Sequence, residues 1–236
     1  LEDAQTAKQD RAIALLELTA EHDVLEIGCG WGGLAERIVD RTGCHVTGLT
    51  LSQAQLAYAT ERLSQAGLSG RAAFALRDYR DQDGVFDRIV SIEMLEAVGE
   101  AYWPAYFATL RDRLRPGGIA VLQAITIAED RFEAYRRCPD FIQHYIFPGG
   151  MLPTRTLMAQ HARIAGLTLR SVETFGDSYA RTLAVWRQKF HAGWPAIAAQ
   201  GFDSRFRRMW DYYLAYCEGG FRAGAIDVGL FALVRP

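Results

Sequence analysis

A short apolar run that stops on a cluster of glycines sets the strongest limit on what this chain can fold into. Val24-Leu25-Glu26-Ile27 leads directly into Gly28-Cys29-Gly30-Trp31-Gly32-Gly33, and a helical pattern follows through Leu34–Val39. An apolar run of this length between turn signals reads as a buried strand, and a tight turn from strand to helix needs residues without a Cβ. A buried strand passing through such a turn into a helix is the opening unit of a parallel α/β sheet.

The rest of the chain repeats the alternation. Ile13, Leu15, Leu16 and Leu18 predict an opening helix that ends near Thr19, within an N-terminal helical segment of residues 1–20. His45–Leu49 reads as a second strand, and Ser52 caps a helix running through Leu63. Ala72–Leu76 and Phe86–Ile92 read as two more strands. Pro104 opens a helix that closes before Pro116-Gly117-Gly118, and Ile119–Ile127 is the next strand. Residues 129–152 break the pattern: they are aromatic and irregular (Phe132, Tyr135, Phe141, Tyr145, Phe147) and end in Phe147-Pro148-Gly149-Gly150. They read as an insertion over the active-site end. A helix at 154–165, a strand at 167–175, helices between about 179 and 218 and a strand at 225–234 complete a seven-stranded, mostly parallel sheet flanked by helices. The whole of 1–236 reads as one domain.

Composition narrows the class. No apolar run approaches the length of a membrane span, and Leu1–Asp10 is too polar for a signal peptide. Four scattered cysteines (Cys29, Cys44, Cys138, Cys217) and five dispersed histidines give no metal-binding spacing; the cysteines suit free thiols in a reducing cytoplasm. Residues 1–130 carry 12 Lys/Arg against 20 Asp/Glu, whereas residues 131–236 carry 14 against 8. A basic C-terminal half suits either a solvated helical surface or anionic phospholipid headgroups. It does not form the dense stripe that nucleic acid requires.

The glycine turn also satisfies the spacing of a dinucleotide fingerprint, and by itself it fits a turn with no ligand. Two features favour a cationic cofactor, S-adenosylmethionine, over a dinucleotide. Glu26 precedes the loop, where a carboxylate attracts a sulfonium and an amine but repels a pyrophosphate. The second strand ends in Gly48-Leu49-Thr50-Leu51-Ser52, without the acid that a dinucleotide fold uses to hold ribose. The turn Leu114-Arg115-Pro116-Gly117-Gly118 agrees with that choice.

Taken together, VLEIGCGWGG, VTGLTLSQAQ, SIEMLEAVGE, YIFPGGMLP, SYARTLAVW and FRAGAIDVGLF resemble, in this order, the cyclopropane fatty acid synthases and mycolic acid cyclopropane synthases. The resemblance covers essentially the whole chain. It implies a class I methyltransferase (Rossmann-like) fold and methyl transfer to the double bond of an unsaturated acyl chain in a phospholipid. It also implies a cytoplasmic protein lying against the inner face of the membrane, with a homodimer left open.

Residue by residue, the resemblance gives Gly28, Cys29, Gly30 and Gly32 to the methionine side of the cofactor pocket. Thr50, Leu51 and Gln55 go to the ribose, and Asp78, Tyr79 and Ile92 to the adenine. Apart from the resemblance, Phe141, Tyr145 and Phe147 of the insertion fall where a substrate-covering region is expected, with core filling as their other reading. The base looks like a bound bicarbonate held by a glutamate, a histidine, backbone near an isoleucine, a tyrosine and a cysteine. Glu96, Ile125 and Tyr179 match three of these. The histidine position holds Gln123, which can donate a hydrogen bond but cannot take a proton. The cysteine falls in a segment expected before Leu1. These departures leave a cyclopropane and a methylated or methylene-bearing chain as nearly equal products. A methyltransferase acting on small amines and a non-catalytic lipid- or cofactor-binding protein are the rival readings.

Overall fold

The computed structural model describes all residues, 1–236. Seven strands form one sheet: β1 (Asp23–Ile27), β2 (His45–Thr50), β3 (Ala72–Leu76), β4 (Phe86–Ile92), β5 (Leu114–Ile127), β6 (Thr168–Thr174) and β7 (Ile226–Val234). Their spatial order is β3-β2-β1-β4-β5-β7-β6. Strands β1 to β5 pair in parallel, and β7 runs antiparallel between β5 and β6. The expected sheet is therefore present, and the strand order reverses between β1 and β4. In open α/β sheets that reversal opens a crevice at the carboxyl ends of the strands, where ligands bind.

The sheet is covered on both faces, which is why β1 and β5 read as continuous apolar runs rather than alternating ones. One core packs Leu25, Ile27, Ile89 and Leu122 against Trp103, Tyr106 and Phe107 of α5 (Trp103–Arg113). The opposite core packs Val24, Val46, Val90 and Val121 against α1 (Glu2–Leu16) and α2 (Gly33–Thr42). Helix α3 (Gln53–Gln65) starts at Ser52, whose hydroxyl accepts from the Gln55 N–H, and it buries Ala59 and Leu63.

Four expectations need correction. Helix α1 stops at Leu16, because Glu17 turns left-handed (φ 51°) and its N–H closes on the Ala14 carbonyl. Strand β5 begins at Leu114, directly after α5, and absorbs the Pro-Gly-Gly turn as an irregularity opposite Phe86–Arg88. The segment 129–152 is only partly irregular: it holds α6 (Glu129–Arg137) and α7 (Phe141–Tyr145), while the short α4 (Leu95–Val98) follows β4. Acids open α6 and arginines close it, complementing the helix dipole, while Asp140 and Gln143 form a capping box on α7. After α8 (Arg155–Ile164), the helices between β6 and β7 are longer than expected: α9 (Gly176–Ala199) and α10 (Ser204–Arg222) form a hairpin. That hairpin has its own small core of Leu183, Phe190, Leu214 and Phe221.

Candidate active site

At the switch point the carboxyl ends of β1 and β4 border a cleft of about 690 Å³. The glycine turn forms one wall and α1 the other, with Lys8 and Gln9 facing Glu26, Gly28, Cys29 and Gly30; Ile92 and Gln123 contribute from β4 and β5. Gly28 and Gly30 are left-handed (φ 82° and 53°), a conformation that L side chains rarely adopt. A Cβ on Gly30 would meet nothing within 4 Å, so this stretch of backbone lies open to a ligand. Gly32 is glycine for a different reason: a Cβ there would lie 2.9 Å from that of Ala59 and 3.1 Å from the Phe74 ring.

Glu26 is 3% exposed, and its Oε2 has no hydrogen-bond partner. Burial alone pushes its carboxyl up to about 8. Gln123 is equally buried, and its Oε1 is also unpartnered. Two enclosed acceptors on residues lining one cleft are costly unless a donor satisfies them. A ligand bearing an ammonium would do so. Cys29 is buried, and its thiol is pushed up to about 12, so it is an inert wall rather than a nucleophile.

The other expected cofactor residues lie along the neighbouring strand ends, outside the residues that line this cleft. Thr50 is buried at the end of β2; its hydroxyl donates to Gln55 Oε1 at 2.8 Å and accepts from the Ser52 N–H. Leu51 beside it is 74% exposed. Asp78 accepts from the backbone and guanidinium of Arg80, which hold its carboxyl below the usual range. Tyr79 packs edge-on against Tyr106 at 5.5 Å.

A second cluster adjoins the cleft through Gln123 and Lys8. Glu96 opens α4; its Oε1 accepts the Ile125 N–H at 2.5 Å, and its Oε2 is enclosed without a partner. Burial raises its carboxyl to about 7 against the opposing pull of that hydrogen bond. Tyr179 arrives from α9. Its hydroxyl and the Gln123 amide both donate to Glu93 Oε1, the amide at 2.5 Å, and Gln123 Nε2 lies 2.6 Å from the Tyr179 oxygen. Burial, then the Glu93 charge, raises the Tyr179 phenol. Two of the four groups that the resemblance gives to a bicarbonate, Gln123 and Tyr179, thus serve Glu93, and a bicarbonate seated on these two donors would have to displace that carboxylate.

Sequence reasoning missed Glu93 and Lys8. Glu93 stands in the same Ser91–Glu100 motif as Glu96, immediately after β4, where a polar side chain at a strand's carboxyl end is a site signal. Lys8 is one of only two lysines in the sequence. Its ammonium lies 5.9 Å from the centre of the Tyr179 ring, and burial lowers its pKa.

The expected substrate aromatics are not part of the cleft. Phe141 packs edge-on against Tyr212 of α10 at 4.6 Å, and Phe147 lies 6.2 Å from Tyr213, while Tyr145 and Phe147 remain more than half exposed. The end of the same segment does reach the site, where the Met151 N–H donates to the Glu96 carbonyl.

Comparison with known proteins gives the family of the chain. Residues 1–231 match the family model described as mycolic acid cyclopropane synthetase. The chain is 43% identical over 233 residues to tuberculostearic acid methyltransferase UfaA1 of Mycobacterium tuberculosis, covering 98% of this chain and 54% of that protein. It is 39% identical over 228 residues to cyclopropane-fatty-acyl-phospholipid synthase of Escherichia coli K12, covering 97% of this chain and 57% of that one. The chain thus spans little more than half the length of these relatives. The solved structure of the cyclopropane synthase MmaA2 from M. tuberculosis superposes with a TM-score of 0.90 at 32% identity, over 99% of this chain and 85% of that chain.

Proposed function

Because the chain belongs to the mycolic acid cyclopropane synthetase family, we propose that it transfers a methyl group from S-adenosylmethionine to the double bond of an unsaturated acyl chain in a phospholipid. The product is a cyclopropane or a methylated or methylene-bearing chain. The observation that carries this reading is the pair of unpartnered, buried acceptors, Glu26 Oε2 and Gln123 Oε1, beside an open glycine turn.

When bound, S-adenosylmethionine supplies an electrophilic methyl group. Glu26 would hold its amino group, and Gly28, Cys29, Gly30 and Gly32 would shape the turn around its methionine end. The Thr50 hydroxyl and Gln55 amide, already paired to each other, would turn toward the ribose hydroxyls, with Leu51 beside them. Asp78, Tyr79 and Ile92 would border the adenine.

An alkene is a weak nucleophile, so the chain's own task is to align it and exclude water. Tyr179 lies among Phe175 and Phe221 at ring separations of 5.7 and 5.5 Å, and aromatic faces of this kind ease a developing carbocation. Glu96 fixes Ile125 at the floor of the site. Tyr145 and Phe147, more than half exposed, would meet the acyl chain outside the cleft, while Phe141 holds their segment against Tyr212 of α10. No helix is long and apolar enough to cross a membrane. Arg205, Arg207 and Arg208, with exposed Phe202 and Tyr212 on and beside α10, support peripheral contact with an anionic surface at the cytoplasmic face.

The test is mass spectrometry of lipids from cells producing the protein and fed labelled methionine. A labelled CH₂ unit on unsaturated chains is the expected result, and fragmentation then separates a ring from a branch. Unlabelled acyl chains despite a folded, cofactor-binding protein would overturn the reading.

A further inference from the structure

Methyl transfer to an alkene leaves a carbocation, and the reaction ends only when a base removes a proton. Three features single out one carboxylate for that step. First, the Tyr179 hydroxyl and the Gln123 amide converge on Glu93 Oε1. A pair of donors fixes the direction of the carboxylate, and Glu93 is exposed, leaving its second oxygen free to meet a substrate. Second, the backbone holds Glu93 in an uncommon state. Its N–H donates to the Gln123 carbonyl at 2.9 Å, continuing the β4–β5 pairing, and its φ is then +52°. The only other non-glycine residue with positive φ is Glu17, where a helix ends in the ordinary way. A left-handed glutamate at a strand end is strain of the kind found at active sites. Third, the neighbouring Glu96 is not available for the same task, because one oxygen is tied to the Ile125 N–H and the other is enclosed.

We propose that Glu93 is the base of the reaction, seated by Tyr179 and Gln123, and that turnover needs no added bicarbonate. This assignment rests on the alkene-methylation reading above. The bonds balance without any redox partner. The alkene π pair forms the new C–C bond as the sulfonium C–S bond breaks with its pair to sulfur. The cation then loses a proton to a Glu93 oxygen, and the C–H pair closes either a cyclopropane ring or a new double bond. Lys8 of α1 faces the same cluster and provides a cation opposite the carboxylate.

The experiment compares the wild-type chain with Glu93→Gly, which the positive φ favours, and with Glu93→Gln, which keeps the side-chain shape. Turnover of Glu93→Gly on unsaturated phospholipid should fall about 10²–10⁴-fold, the usual contribution of a positioned base. S-adenosylmethionine affinity should stay within about twofold of wild type. Added bicarbonate or formate should restore at least tenfold of the lost turnover in Glu93→Gly, and not in Glu93→Gln, whose amide still fills the seat. Carbon-13 bicarbonate should bind to Glu93→Gly in an NMR titration and not to the wild type, a readout independent of catalysis. Glu17→Gly, away from the site, should leave turnover unchanged. Near-normal turnover of Glu93→Gly without additive, or a wild type that stops when bicarbonate is removed, overturns the assignment alone. A wild type that binds the cofactor and methylates no acyl chain overturns the parent reading, and this assignment with it.

Discussion

The strands that flank the switch point both deliver a carboxylate, and the two are in opposite circumstances. Glu26, inside β1, is sealed from water with an oxygen that nothing in the protein satisfies. Glu93, just beyond β4, is exposed, with an oxygen that receives hydrogen bonds from two side chains. The first half of the site is therefore incomplete until a ligand brings a donor, whereas the second is assembled from the chain alone. The contrast separates binding from chemistry: substitutions on the β1 side should move affinity, and those on the β4–β5 side should move rate.

Beyond the loss of turnover expected for Glu93→Gly, the largest effect is expected at Glu96, whose grip on the Ile125 N–H anchors the rate side. Glu96→Gln should lower turnover about a hundredfold with cofactor affinity kept; steady-state kinetics beside calorimetric binding checks this, and near-normal turnover removes Glu96 from the mechanism. Glu26→Gln should do the reverse, weakening cofactor binding about 30-fold, or ~2 kcal/mol, with kcat nearly unchanged. Equal losses in both quantities would break the division between the halves.

A pH titration sharpens the comparison further. Burial holds the ligand-free Glu26 carboxyl at about 8, so at neutral pH a cationic cofactor must displace a proton as it binds. Affinity should rise about tenfold per pH unit up to that value and then level off. Glu26→Gln should lose the slope, and a slope that survives would assign it to another group. The same shift destabilises the ligand-free fold as pH rises from the ordinary carboxylate range toward 8, because the unfolded chain ionises first. Ligand-free Glu26→Gln should accordingly melt higher than wild type at pH 8. The smallest effect is on stability at Glu93. In Glu93→Gly, relief of the left-handed strain and the added freedom of the unfolded chain oppose each other, so thermal unfolding should shift by less than about 1 kcal/mol.

Much of this architecture was readable from local pattern. Buried strands, the glycine turn and the Ser52 cap are set by neighbours in sequence, so the sheet and the β1 loop could be placed from residues alone. Glu96, Gln123 and Tyr179 could be named by resemblance, and the structure brings the last two together. What bound them was not visible: Glu93 is engaged by residues 30 and 86 positions away in the chain. Nothing local announces such a contact. The short helices of 129–152 were hidden for another reason: α6 and α7 span only 9 and 5 residues, too few for an apolar period to stand out. Phe141 likewise finds its partner on α10, a packing that spacing along the chain does not encode.

The left-handed backbone at residue 93 has a bearing on how this chain can change over generations. Glutamate and glycine codons differ by one base, and the backbone at this position is one that glycine adopts freely. Loss of the carboxylate is thus a single, conformationally comfortable mutation. That step would turn a protein carrying its own base into one that has to borrow an anion from its surroundings, and the same step taken backwards would give such a protein a base of its own.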